Sequence, residues 1–340
     1  MNAAMVRRVA TNSGLVVAVA FGAFAVLMVI KGVNPADAYS SMWAAITTDT
    51  SLTAILVKGT PLILAALAVT IPAKAGMVNV GGEGQLLMGA IFAAGMSQAI
   101  EGAAGGLGLV LMILAGIVGG ALWAGLAALL KRWVGISEAV TTLLLNYVAL
   151  NIMFFLIYDP WKDPNGSGQP ATRPIPVPQR LPLVGASKVH MGIVLALIAT
   201  AGVWWILRST RFGFQLRVVG GNTEAARRSG LPVGWLVIGA MLLGGALAGL
   251  GGVAQLAGSE FKLRPGFLLT YGYIGFLASW LARHDPPKVA LSALLLAAIS
   301  ISGDSLQIDS QMPAATVNVL MALVLLAVFG FGARQKAAVA

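Results

Sequence analysis

Ten stretches of the chain are apolar over lengths at or near those of a membrane crossing, and little except a helical membrane protein can be built from them. They run approximately over residues 14–30, 52–71, 84–98, 106–130, 139–157, 189–207, 233–257, 271–282, 289–301 and 314–331. A helix needs about 20 mostly apolar residues to cross about 30 Å of hydrocarbon. The third, eighth and ninth stretches are short against that measure. Composition closes the alternatives: 58% of the 340 residues are hydrophobic and only 10% are charged, against about 25% charged in a soluble domain. Disorder needs the opposite balance. Cysteine is absent, which removes disulfides, thiolate metal sites and Cys nucleophiles together. The expected fold is an all-α integral membrane protein with about ten transmembrane helices in one transmembrane domain over residues 1–340.

The formal charge of +10 belongs to no dense basic tract, so nucleic acid is not an expected partner. Its distribution gives an orientation instead. With the N-terminus inside and the spans alternating, fourteen bases fall inside, among them Arg7, Arg8, Lys131, Arg132, Arg227 and Arg228. Seven fall outside, and Lys58 lies within a span. That excess places both termini in the cytoplasm. Arg7 and Arg8 before an apolar run, with Ala36-Asp37-Ala38 after it, resemble a signal peptide. The run of 17 residues is long for a signal core and nine further spans follow, so it is expected to stay as an anchor.

Two segments outside the spans stand out. Residues 159–188 carry seven prolines and read as an extended, non-helical external cap. Residues 208–232 form a cytoplasmic loop of another kind. Within it, Gly221–Gly230 opens with Asn222 and Thr223, has Glu224 in its first turn and Arg227 and Arg228 in its last, and stops at Gly230 before Leu231-Pro232. Those are the signals of a short capped helix. Held between two spans, it would serve either as a mechanical contact or as an ordinary structured loop.

No GxxxxGK[ST] run is present, so the chain has no Walker-type nucleotide site. HExxH is also absent, and His190 and His284 are the only histidines, a poor basis for a His metal site. Neither has an evident acid and Ser partner nearby. A membrane enzyme would need convergent acids, bases or a metal at one surface. An ion-coupled secondary transporter would need carboxylates deep in the bundle. Neither pattern is found.

Spans two to five and seven to ten each make a four-helix block, and the two blocks enter the membrane from opposite sides. Gly76–Gln85 precedes a short span in the first block, and Arg264–Gly275 does so in the second. Inverted blocks with glycine-interrupted short segments at matching places are a transporter pattern. The first break contains Asn79, Glu83 and Gln85 among four glycines. Irregular backbone at membrane depth must be satisfied by protein or by a wetted cavity. Glu83 is therefore either a pathway residue or a cap on the third span. In the fifth span, Glu138, Thr142 and Asn146 are spaced by four and share one helix face. Asn146 lies about 12 Å deeper than Glu138. Its amide suits a polar uncharged solute, or an interhelical hydrogen bond. Tyr271, Tyr273 and Phe276 would stack on a planar solute or mark the interfacial belt. Gly116/Gly120 and Gly245/Gly249 are spaced for close helix packing.

Three segments resemble a known family: Gly76–Ala90 (GMVNVGGEGQLLMGA), Gly135–Ala149 (GISEAVTTLLLNYVA) and Gly221–Pro232 (GNTEAARRSGLP). They are similar to the permease subunits of ATP-binding-cassette importers in the branched-chain amino acid, ribose and nucleoside permease family. The segment Gly76–Ala90 is close to the family's Asn-Ile-Gly-x-Glu-Gly-Gln pattern, with Val80 for Ile. The segment Gly135–Ala149 is most similar to the nucleoside and simple-sugar branch. The final apolar tail and Tyr271–Ala282 depart more from the pattern. The resemblance implies an importer permease of a bacterial inner membrane, paired with a second identical or homologous permease. It also implies two cytoplasmic ATP-binding subunits and an extracytoplasmic solute-binding protein. ATP and Mg would be bound on the ATPase partner and no cofactor on this chain. The solute expected first is a nucleoside or simple sugar, then a branched-chain amino acid or another planar solute. The segment with Asn222, Glu224, Ala225, Arg227, Arg228 and Gly230 would dock on the ATPase. Asn79, Glu83, Gln85, Glu138, Thr142, Asn146, Tyr271 and Tyr273 are the candidates for the solute pathway.

Overall fold

A computed structural model describes residues 18–48, 50–100, 105–166, 168–310, 312–313 and 316–337. Arg7, Arg8 and the first four residues of the 14–30 stretch lie outside the described residues. The described chain is helical, with isolated β-bridges at Lys162–Thr172 and Leu183–His190 as its extended pairing. In order, the helices are α1 (Ala18–Ile30), α2 (Pro35–Thr47), α3 (Ser51–Lys74), α4 (Gly82–Ala99), α5 (Gly105–Val134), α6 (Glu138–Tyr158) and α7 (Gly192–Ser209). They continue with α8 (Arg211–Gly221), α9 (Thr223–Arg228), α10 (Val233–Gln255), α11 (Tyr271–Leu281), α12 (Pro286–Ser310) and α13 (Thr316–Ala337). Among the described residues six helices are long and apolar enough to cross a membrane, α3, α5, α6, α7, α10 and α12. Helices α1 and α2 make a seventh if the 119° bend between them is counted within one span. The chain is a multi-pass membrane protein by length and composition.

The chain divides into two compact units, residues 1–55 with 295–340, and residues 56–294. In the first, Pro35 starts α2 behind an Asn34 cap whose side chain accepts the Ala36 N–H. Residues 35–47, beyond the expected 14–30 crossing, thus form a second helix bent from the first by 119°, and Ala36-Asp37-Ala38 lies inside it. Tyr39 hydrogen-bonds the Phe21 carbonyl at 2.5 Å and packs on Phe21 and Phe24.

The second unit is organised by glycine seams. A Cβ on Gly120 would strike the Gly245 carbonyl, and one on Gly249 would strike the Gly116 carbonyl. Helices α5 and α10 thus meet backbone to backbone along the two small-residue spacings seen in the sequence. Gly89 of α4 meets Gly249 from a third direction. In lipid, such contact surface and backbone approach hold helices together because hydrophobic exclusion between them is lost.

Helix α10 runs on into a wider turn, Leu256–Glu260. The 159–188 segment is tied to it: Thr172 and Leu263 exchange hydrogen bonds at 3.0 Å, and the Leu181 N–H reaches the Ala257 carbonyl at 2.8 Å. Arg180 lies over the Phe261 ring at 4.2 Å. The segment is largely irregular, as its prolines require, with one helical turn at Val177–Gln179.

Candidate functional site

Helix α3 ends at Lys74, and Gly76 just beyond it, with a φ of +75°, lets the chain turn back. The Gly76 N–H then bonds Ala73 O at 3.1 Å and the Met77 N–H bonds Pro72 O at 3.0 Å, closing the last carbonyls of the helix. Residues 77–81 follow without helical bonding, and α4 begins at Gly82. Backbone polar groups freed in this way need partners.

Helix α6 supplies them as a ladder. The Glu138 carboxylate accepts the Val78 N–H at 3.1 Å, and Thr142 Oγ1 accepts the Val80 N–H at 3.2 Å. The Asn146 amide nitrogen donates to Val80 O at 3.0 Å while its oxygen accepts the Gly84 N–H at 2.8 Å. The i, i+4 spacing that puts these side chains on one face matches the climb of an extended strand beside them. Asn79 turns the other way. It forms a reciprocal pair with Gln85, at 3.0 and 2.9 Å, and accepts the Gly81 N–H at 3.0 Å. Asn79, Gln85, Glu138, Thr142 and Asn146 are all buried. At the foot of the ladder Lys131 Nζ lies 2.6 Å from Glu138, so that carboxylate has a cation as well as an amide.

The Glu83 carboxylate reaches beyond its own helix. It stands in the first turn of α4 yet caps another helix: Oε1 accepts the Thr270 N–H at 2.6 Å and Oε2 the Gly272 N–H at 2.8 Å. Those amides open α11. The backbones meet there as well, since a Cβ on Gly82 would stand 3.2 Å from Gly272 Cα. Tyr273 on α11 places its hydroxyl 3.4 Å from the Asn146 amide and is partly exposed, and Tyr271 is half-buried. Phe276 packs on Trp280.

A second candidate region is the 208–232 segment. Helix α9 is capped by Asn222, whose side chain accepts the Ala225 N–H at 2.9 Å. It is stopped at Gly230, φ +80°, with the Gly230 and Leu231 amides bonded to Arg227 O and Ala226 O. Ala226 is buried, whereas Asn222, Glu224, Ala225, Arg227, Arg228 and Gly230 all face outward. Glu224 pairs with Arg228 at 3.0 Å and Arg227 at 3.5 Å. Sequence reading missed α8 before it. Its signals were present: Thr210 caps the Gly213 N–H at 3.1 Å, and Gly213, Leu216 and Val219 make a buried stripe at threefold spacing. Gly220 of α8 packs against the backbone of Lys74 and Gly76, so α8 leans on the start of the broken segment.

One contact was not legible from spacing. His284 does have a hydroxyl partner: Ser279 Oγ lies 2.9 Å from its Nδ1, and Thr70 Oγ1 lies 2.9 Å from the same hydroxyl. Left-handed Arg283 and His284 fold the chain back over the end of α11, which spacing alone did not reveal. Burial, with Lys74 nearby, pushes the imidazole down to about 4, so it is neutral at neutral pH. Among the described residues no group of three or more His, Cys, Asp or Glu side chains is gathered to hold a metal ion.

The chain matches the family described as branched-chain amino acid transport system / permease component over residues 51–329. It is 37% identical over 326 residues to a glucose ABC transporter permease protein of Haloferax volcanii, covering 92% of this chain and 85% of that one. A guanosine ABC transporter permease protein of Bacillus subtilis is 29% identical over 330 residues, 95% of this chain and 94% of its own. A nucleoside ABC transporter permease protein of Lactococcus lactis subsp. cremoris is 27% identical over 321 residues, 91% and 88% respectively. A match over most of the chain, with relatives aligned nearly end to end, means that the protein belongs to the family of permease components of branched-chain amino acid type transport systems and is a transport subunit of an ABC importer.

Proposed function

We propose that this permease carries a small uncharged polar solute, a nucleoside or a simple sugar, into the cell. The observation that supports an uncharged solute best is the state of the two carboxylates around the break. Glu138 is held by Lys131 and the Val78 amide, and Glu83 by the amides of α11. Neither is left to pair with a charged solute. The glucose and guanosine in the names of the relatives point to the same class. A branched-chain amino acid, which the family description names, would bring a carboxylate of its own. The α11 amides suited to it already bond Glu83.

The working arrangement is a ten-span protein of a bacterial inner membrane with both termini in the cytoplasm. Its two inverted four-helix blocks are spans two to five and seven to ten. It pairs with a second permease subunit, identical or homologous, two ATP-binding subunits and an extracytoplasmic solute-binding protein. ATP and Mg belong to the ATPase partners. Asn79, Gln85, Glu138, Thr142 and Asn146 form the wall that fixes the broken segment, with Glu83 pinning it, while Tyr271 and Tyr273 border the solute. Asn222, Glu224, Ala225, Arg227, Arg228 and Gly230 face the ATPase. Its closure moves α9 and α8, and the Gly220–Gly76 contact passes that shift to the break. A rigid element tied to two spans can switch their packing between two arrangements in this way.

The test is uptake by the assembled transporter in proteoliposomes with labelled guanosine, glucose and leucine. ATP-dependent entry of a nucleoside or hexose, with leucine excluded, is the expected result. Leucine uptake with the other two excluded would overturn the solute assignment.

A further inference from the structure

Glu83 has no cationic partner among the described residues. Its charge is met instead by backbone. The Thr270 and Gly272 amides each take one carboxylate oxygen, at 2.6 and 2.8 Å. Both donors belong to the opening of α11, and Glu83 itself belongs to the first turn of α4. Two helix starts therefore share one anion, and the positive ends of both dipoles favour it.

Two further observations bear on what this contact does. The first is backbone proximity. A side chain on Gly272 would collide with the Glu83 backbone, and Gly82 faces Gly272 Cα. Only glycines allow the carboxylate to reach its amides from so close. The second is strain. The segment leading into α11 holds Leu268 at φ +55° and Thr270 at φ +71°. The left-handed region is unfavourable for a β-branched residue, and it persists only where the surroundings impose it. The Thr270 amide is one of the two that Glu83 binds. A solute that took Glu83 as its ligand would strip these part-buried amides of their acceptor, and an unmet buried N–H is costly.

We infer that Glu83 is a positioning residue whose carboxylate acts as a built-in anion, pinning the start of α11 to the start of α4 so that the two breaks move as one unit during transport. The inference rests on the permease reading above, and it assigns Glu83 no contact with the solute.

The test uses the assembled transporter, reconstituted with its ATP-binding and solute-binding partners. Intact complex is quantified by size exclusion, and rates are normalised to it. Glu83→Gln keeps the shape but sets a donor against an amide. It is expected to lower the maximal rate of ATP-driven uptake by about tenfold or more, the effect of losing one charge-assisted hydrogen bond. The half-saturating solute concentration should stay within about twofold, because no solute contact is lost. Glu83→Ala is expected to lose more, and added formate should restore part of its rate while leaving the unaltered protein unchanged. Simple loss of packing would not respond to a small anion.

A normal maximal rate in Glu83→Gln, an effect confined to the half-saturating concentration, or a Glu83→Ala rate untouched by formate would each overturn the inference. If Glu83→Ala does not assemble, formate is added during extraction from the membrane. Recovered assembly supports the pin and continued failure contradicts it. The solute assignment is judged separately. An unaltered complex that moves none of the nucleosides or sugars sinks that assignment, whereas formate dependence of assembly and ATP hydrolysis still reports on Glu83.

Discussion

Residues 76–85 and 221–230 are both polar stretches of an apolar chain, and they use polarity in opposite ways. In the first, polar side chains are buried and turned inward on backbone that has left the helix. Asn146 alone serves both Val80 and Gly84. In the second, the backbone is capped within ten residues by Asn222 and Gly230, and the charges of Glu224, Arg227 and Arg228 are left facing outward. Buried polarity in a membrane protein completes a fold that would otherwise leave donors unmet. Exposed polarity on a self-sufficient helix is free to meet another protein.

That contrast can be broken most sharply at Asn146. Replacing it with Leu leaves the Gly84 N–H and the Val80 carbonyl without their partner. At about 1–3 kcal/mol for each buried group left unsatisfied, roughly 2–6 kcal/mol of stability should be lost. Thermal unfolding of the detergent-solubilised complex would read this as a large drop in midpoint. An unchanged midpoint would mean that the ladder does not hold the break. Glu138→Gln should cost less, about 1 kcal/mol, since the Val78 acceptor remains and only the partly exposed Lys131 pair is lost. The same unfolding curve checks it, and Glu138→Ala should fall clearly below Glu138→Gln.

In the other region Asn222→Ala removes a cap worth about 1 kcal/mol to a short helix. Little of this should appear in global unfolding, because α9 can fray locally. Faster amide exchange at Ala225 would reveal it. The smallest stability effect belongs to the charges. Arg227→Glu with Glu224→Lys should shift the midpoint by less than about 0.5 kcal/mol equivalent, yet weaken co-purification of the ATP-binding subunit. A double reversal that unfolds the permease and leaves co-purification intact would invert the comparison.

How much was legible in the sequence follows the range of each interaction. The α9 caps are local, so Asn222 and Gly230 could be placed from spacing. The glycine seam was equally readable, since Gly116/Gly120 and Gly245/Gly249 each repeat along one helix face. The stripe of Glu138, Thr142 and Asn146 was visible as a face, but what it met was not. Its partners at Val78, Val80 and Gly84 lie about sixty residues earlier, and their N–H groups have no signature of their own. Glu83 was hidden further still. Its amides come from Thr270 and Gly272, across most of the chain, and a carboxylate in a first turn suggests a cap on its own helix. The Ser279–His284 pair escaped because two left-handed residues reverse the chain there.

The most direct measurement is solute entry into vesicles that contain this permease and its solute-binding partner, with and without the ATP-binding subunits. Entry of a nucleoside or sugar should require both those subunits and hydrolysable ATP, and should stay at background under any imposed proton or sodium gradient. Entry driven by such a gradient, with no ATP-splitting subunit present, would contradict the reading of this chain as the passive gate of an ATP-powered importer.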